Sequence, residues 1–407
     1  MKRMLVISLT VLLLTAGFAL AAEQQSVNAG FGSATLNGLF KAGFNYYVGD
    51  ETLGADKDGN PQAMDNGKDM EFTVNYFQLG VNGWVVDKHV TYLATMTADT
   101  TAGSVSLLDL KLGFLYIPYT GIYVGRIKPD MTYHGTINSG TFKTIEMPLM
   151  NRNIFGRQRQ TGLNLNLDTK YLAANLGVYN GRQYTPALIA PGGTDPVGNV
   201  DYLDQNTGKD IHFGLIGKPP VEGLNIRANL WYGTPLDANE VKDGELTNHN
   251  VSVMFLNGGV DYLAPFGLTL IGELFYGTYA WDSKDPATNF EDDRADDTYE
   301  LTTMSYYLMA GYNFGPVFEV PVEIVARYDY LDPDTLNDKE KHPASEQDAL
   351  TDIVGGVNYY IKGYNAMLSL NYIYRGEEWE KVLTKKGDDD QTGIANDQLK
   401  LQAQVMF

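Results

Sequence analysis

In a chain whose formal net charge is −20, residues 121–160 carry Arg126, Lys128, Lys143, Arg152, Arg157 and Arg159 against only Asp130 and Glu146. Guanidinium groups offer paired N–H donors that match oxyanions, and ammonium groups attract them as point charges. On a connector folded into a pore, these cations would stand where a permeating solute must pass. Their chemistry would be weak, repeated anion binding, which lets a solute leave as well as enter. The competing reading is a basic outer loop, or a patch that faces lipopolysaccharide.

Bond-making chemistry finds little support. The sequence holds no G-x-S-x-G, H-E-x-x-H, G-x-x-x-x-G-K-[ST] or strand-linked G-x-G-x-x-G pattern. His89, His134, His212, His249 and His342 lack metal-ligand spacing, and cysteine is absent. The expectation is therefore a chain that is no enzyme and holds no metal or cofactor. Acidic stretches such as "DSKDPATNFEDDRADD" look like solvated loops, and the acidic total argues against nucleic-acid partners.

The elements that must position the cations come next. Residues 1–21 begin with Lys2 and Arg3, continue through an apolar run from Met4 to Leu14, and end in an Ala19-x-Ala21 arrangement. This predicts a signal peptide cleaved after Ala21 or Ala22, because the run is short of the ~20 residues a bilayer helix needs. Loss of Lys2 and Arg3 takes the net charge from −20 to −22. No later apolar run is long enough to span lipid as a helix, so a spanning chain must use strands.

Residues 22–407 read as one all-β unit. Period-two alternation recurs over 33–48, 71–84, 88–98, 104–117, 121–128, 158–168, 170–182, 210–218, 223–234, 249–263, 267–281, 299–314, 319–331, 350–361, 364–376 and 397–407. Connectors alternate between tight turns such as "PYTG", "APFG" and "KGYN" and longer polar loops. That regularity predicts a 16-stranded antiparallel transmembrane β-barrel with short periplasmic turns and long extracellular loops, located in the bacterial outer membrane. The 27 Tyr, 17 Phe and 43 Gly suit its aromatic girdles and turns. The last strand, "DQLKLQAQVMF", should pair with the first and set Phe407 at the membrane rim.

Strand phase then sorts the cations. Lumen-phase candidates are Arg126 and Lys128, with Tyr123 and Ile127 on the opposite face, together with Lys41, Lys111, Arg227, Arg327, Arg375 and Lys400. Arg157 and Arg159 fall in phase with Leu163, Leu165 and Leu167, the lipid row, unless a bulge resets them. Lumen-phase acids are Asp109, Asp168, Glu273, Glu323, Asp329 and Asp352, so the interior should be slightly basic and the loops acidic.

"YVGRIKP", then "MNRNIFGRQRQTGLNL", then "EIVARYDYLDPD", "DIVGGVNYYIKGYNAMLSLNYIYR" and "DQLKLQAQVMF" together resemble the phosphate-selective porin O and P family, over roughly 121–182 and 319–407. The resemblance implies a trimeric outer-membrane porin with an inward-folded constriction loop, here 129–157, and pore-lining anion sites. Matched by motif, Lys128, Arg152 and Arg159 fall on the family's basic positions, and Arg327 lies in the matching "ARYD" strand. It also implies that Phe407 serves as the signal read by the barrel-assembly machinery. The expected function is passive diffusion of small hydrophilic solutes, anions such as phosphate among them. A weakly cation-selective porin governed by the acidic loops is the alternative, followed by a non-conducting surface barrel.

Overall fold

The structure, a computed structural model, describes residues 26–29, 32–48, 51–55, 61–65, 70–86, 88–99, 104–154, 159–181, 209–233, 238–242, 245–249, 251–281, 299–333, 335, 349–377 and 396–407. Arg157 and the leader 1–21 lie outside them. Sixteen strands form the wall. The first eight are β1 Gly32–Tyr47, β2 Met70–Val85, β3 Val90–Asp99, β4 Ser104–Ile117, β5 Thr120–Ile127, β6 Gln160–Asp168, β7 Leu172–Tyr179 and β8 Asp210–Gly217. The second eight are β9 Leu224–Gly233, β10 Val251–Leu263, β11 Leu268–Trp281, β12 Tyr299–Asn313, β13 Val322–Asp332, β14 Leu350–Tyr360, β15 Ala366–Glu377 and β16 Gln398–Met406.

Each strand pairs antiparallel with its neighbours in sequence, and β16 returns to β1 from Met406 opposite Leu39 to Gln398 opposite Tyr47. The result is a closed 16-stranded antiparallel barrel, and its limits stay within three residues of the alternation in the sequence. Among the described residues no helix is long and apolar enough to cross a membrane. Short hairpins add to two of the long connectors, Glu51–Ala55 with Pro61–Asp65 and Ala238–Lys242 with Glu245–His249.

The alternation is inverted relative to a protein folded in water. Along β13, Ile324 and Tyr328 face outward and are exposed, while Glu323, Arg327 and Asp329 are buried inside. Lipid rather than water is the solvent for the outer row, so the apolar side chains need no covering sheet. Turns at one end are tight enough to demand glycine. At Gly267, between β10 and β11, φ is +101°, and a Cβ would lie 2.1 Å from the Asn313 carbonyl oxygen.

The last strand pairs with the first, as its alternation predicts, and at its end the Phe407 carbonyl accepts from the Gly38 N–H at 2.9 Å while its N–H donates to Gly38 O at 3.1 Å, partway along β1. The segment Ser26–Ala29 pairs with Thr35 to Gly32 and continues the wall beyond β16. The terminal strand is thus shorter than β1, and the other end of the chain completes its row.

The interior is asymmetric. Tyr179, Trp231, Val253, Phe255, Ile271, Phe275, Tyr307, Met309, Val325 and Leu331 point inward from β7 and β9 to β13 and form one apolar cluster with Met131, Tyr133, Leu149, Met150 and Ile154 of the connector after β5. Burying each large side chain contributes about 1.5–3 kcal/mol. That connector is packed like a core segment rather than solvated like a loop.

Candidate functional site

The connector leaves the wall where β5 ends at Ile127. Thr132 caps the turn Tyr133–Thr136 by accepting from the Gly135 N–H at 3.0 Å, and Asn138 accepts from the Gly140 N–H at 2.8 Å. A second turn, Leu149–Asn153, follows Pro148. Local capping satisfies part of the backbone, and the barrel wall supplies the remaining partners.

Those wall contacts are numerous and charged. The Tyr133 N–H donates to Glu273 Oε1 at 2.8 Å, and the Tyr307 hydroxyl donates to Glu273 Oε2 at 2.7 Å. Lys143 pairs with Glu323 at 2.5 Å, Asn358 donates to the Lys143 carbonyl at 2.8 Å, and the Ile145 N–H donates to Asn371 Oδ1 at 2.7 Å. Arg327 pairs with Asp329 at 2.9 Å and donates to the Glu146 and Met147 carbonyls at 2.7 and 3.2 Å and to the Thr144 hydroxyl. Arg227 pairs with Asp261 at 2.5 Å and reaches the Thr136 hydroxyl at 3.2 Å. Lys41 donates to the Ser139 carbonyl at 2.7 Å, under the connector.

A second charged knot surrounds Glu146. Its carboxylate accepts from Arg152 at 2.6 Å, from Arg375 at 2.9 Å and from Lys400, while Arg152 also meets Asp352. Burial pushes the Glu146 carboxyl upward, but Arg152, Arg375 and Lys400 outweigh it and hold it well below the usual carboxylate range. Burial also works against charge on Lys143, where Tyr364 and Glu323 prevail and raise its pKa. His134, enclosed by Tyr133, Phe142 and Tyr307, is driven well below its ordinary value by burial and then by Arg327, Lys128 and Arg227.

On the other side of the connector lies a cavity of about 630 Å³. The wall contributes Asn37, Gln78, Asn82, Leu93, Thr95, Asp109, Lys111 and Arg159; the connector contributes Lys128, Asp130 and Gly135 to Ser139; Met406 and Phe407 close one edge. Arg159 is held to Asp109 through Nε at 3.0 Å and Nη2 at 3.2 Å. Lys128 donates to the His134 and Ile137 carbonyls at 2.9 and 3.2 Å. Lys111 pairs with no carboxylate among the described residues, and its ammonium lies 5.3 Å from the Tyr123 ring centre. Burial raises the Asp130 carboxyl, partly offset by Lys111, Lys128 and Arg227.

The sequence candidates thus separate into groups. Lys111, Lys128 and Arg159 line the cavity, whereas Lys143, Arg152, Arg227, Arg327, Arg375 and Lys400 face the interior as ion-paired ties between connector and wall. Arg126 is a correction. It pairs with Leu110, which is exposed on the outer row, and its Nε donates to the Leu108 carbonyl at 3.0 Å; Tyr123 and Ile127 are the inward residues. The apolar character of those two suggested the lipid face, but the packed connector gives them an apolar interior to bury in. Arg159 escapes the lipid phase because β6 begins only at Gln160. Asp168 sits exposed at a turn, paired with Lys218, rather than in the lumen. Sequence reasoning passed over Glu146 as a minor counterweight and overlooked the connector's apolar residues, although "MPLM" is an unusual run for a solvated loop.

No family model and no curated protein matches the sequence. Solved structures do. The outer membrane channel DcaP of Acinetobacter baumannii superposes with a TM-score of 0.60 at 11% identity, covering 93% of this chain and 99% of that one. The anion-selective porin from Comamonas acidovorans gives 0.57 at 13%, covering 92% and 100%. In-vitro folded OmpT of Vibrio cholerae, in a trimer form, gives 0.55 at 11%, covering 93% and 100%. At such identities the shared property is the fold, and the barrel is that of bacterial outer-membrane proteins. The expectation that the chain is no enzyme is corrected here: the same barrel serves OmpT as well as proteins titled porin or channel, and a shared fold does not fix catalytic status. With its apolar exterior and closed wall, the chain is an outer-membrane barrel of the architecture that porins share.

Proposed function

We propose that the chain is a porin for passive diffusion of small hydrophilic solutes, exported by the leader 1–21 with cleavage after Ala21 or Ala22. The observation that carries this reading is the polar cavity of about 630 Å³ between the wall of β1 to β4 and the connector 129–157, which acts as the constriction. Opposite that cavity the connector packs against β9 to β13 in the apolar cluster.

Within that passage Lys111 and Lys128 favour small anions, since the charge of Asp109 is engaged by Arg159. Phosphate is one such anion, though most interior arginines that would grip it bidentately are tied to carboxylates. The two cavity acids favour the second reading, weak cation selectivity. Assembly as a homotrimer, with Phe407 read by the barrel-assembly machinery and lipopolysaccharide around the rim, completes the proposal.

The zero-current potential of refolded protein across a KCl gradient tests it. Anion-selective conductance that moves toward cations in Lys111→Glu supports the reading. A wild-type potential of cation sign transfers selectivity to the acids, and absence of conductance removes the porin.

A further inference from the structure

Most charges around the cavity between β1 to β4 and the connector are engaged. Arg159 is held by Asp109 through Nε at 3.0 Å and Nη2 at 3.2 Å, and Lys128 donates to the His134 and Ile137 carbonyls at 2.9 and 3.2 Å. Two charges of opposite sign are not engaged in this way. Among the described residues the Lys111 ammonium of β4 meets only the Tyr123 ring, 5.3 Å from its centre, and the Asp130 carboxylate of the connector makes neither an ion pair nor a hydrogen bond. Both side chains are half-buried and line the same space of about 630 Å³.

Lys111 acts on the Asp130 carboxyl more strongly than Lys128 or Arg227 does, so the two lie within electrostatic reach although they are not paired. Burial opposes ionisation of Asp130 and Lys111 offsets part of that cost; an arriving ammonium would act in the same sense as Lys111. A small anion gains from Lys111 and is opposed by Asp130, and a small cation meets the reverse. A solute that carries both charges meets each with its opposite. Asn37, Gln78 and Asn82 of β1 and β2 line the same space with neutral donors and acceptors, Asn37 Nδ2 donating to Asn82 Oδ1 at 2.8 Å. At the scale of the whole chain, a formal charge of −20 repels anions from the mouth but leaves a solute without net charge unopposed.

We infer that Lys111 and Asp130 form a weak site for zwitterions of the amino-acid type, with the solute's carboxylate on Lys111, its ammonium on Asp130 and its uncharged part beside Asn37, Gln78 and Asn82. The inference rests on the porin reading, because it takes the cavity as the passage, and it names the class of solute that the passage favours. Each contact is a partly exposed charge pair, so binding is weak and release is quick, as a passage requires. Asp130 thereby becomes a specificity-determining residue rather than a counterweight to the cations around it.

Osmotic swelling of vesicles that hold the refolded barrel, in alanine or in glycerol, tests the inference; the two solutes are similar in size, and glycerol carries no charge. Lys111→Gln and Asp130→Asn should each lower the alanine rate relative to glycerol by about threefold, the effect of losing one partly exposed charge pair. Lys111→Asp alone should lower it further, and reversing both charges, Lys111→Asp with Asp130→Lys, should restore it. Glycerol entry shows for every variant that the barrel is folded and open. An alanine-to-glycerol ratio that neither single substitution moves overturns the inference. So does a ratio that falls in Lys111→Gln but stays level or rises in Asp130→Asn, which is the behaviour of a site for anions only. Vesicles holding wild-type protein that admit neither solute overturn the porin reading and, with it, this inference.

Discussion

The two halves of the barrel interior are built on opposite principles. From β9 to β13 the inward row is aromatic and aliphatic, and it meets Met131, Leu149 and Met150 of the connector as a protein core would. From β1 to β4 the inward row is Asn37, Gln78, Asn82, Thr95 and Lys111, and the connector stands off to leave a cavity. The difference teaches that the connector is positioned by hydrophobic burial on one side and bounds water on the other. Charged ties along β13 to β16 fix its register, because each buried carboxylate or cation left unpaired would be costly.

The largest expected effect lies in the filled half. Phe275→Ala or Trp231→Ala should destabilise the barrel by about 3–5 kcal/mol, since both side chains are fully buried, whereas Leu93→Ala at the half-buried cavity wall should cost about 1 kcal/mol or less. Urea unfolding midpoints of refolded protein measure both. Equal losses on the two sides would erase the distinction between them.

Next comes the tie at Lys143. Glu323→Gln leaves a buried ammonium without its counter-charge and should cost about 3 kcal/mol, with larger single-channel current fluctuations as the connector loosens. Stability changed without any change in current noise would show that the connector does not shape the passage.

Smaller effects belong to selectivity. Burial raises the Asp130 carboxyl from its ordinary value, so anion preference should weaken as rising pH ionises it, and Asp130→Asn should remove that part of the profile. The sign for stability is the same. A carboxyl whose folded pKa is raised contributes stability at low pH, and that contribution is lost as pH rises between the unfolded and folded values. A zero-current potential that keeps the same pH profile in Asp130→Asn would assign the titration elsewhere.

The fold was legible in the sequence because every strand faces two solvents, and rows such as Ile324, Tyr328 against Glu323, Arg327, Asp329 declare both faces. The same rule read Lys41, Lys111, Arg227, Arg327, Arg375 and Lys400 as inward. It failed where its premise failed. At β5 an apolar residue, Ile127, points inward because a folded connector awaits it, which reversed the assignment of Arg126. Nor does strand phase reveal pairing: that Arg152, Arg375 and Lys400 share Glu146 depends on contacts between residues 6 to 254 positions apart in the chain, which alternation does not encode.

Accessibility on the two sides of the connector decides the central claim most directly, and the absence of native cysteine makes it measurable. Single variants Asn82→Cys and Val253→Cys, refolded and inserted into planar bilayers, would be exposed to a charged, water-soluble thiosulfonate reagent. Asn82→Cys should react rapidly with a stepwise fall in conductance, and Val253→Cys should not react while the barrel remains folded. Rapid reaction at Val253→Cys, with Asn82→Cys silent, would contradict a passage confined to the wall of β1 to β4.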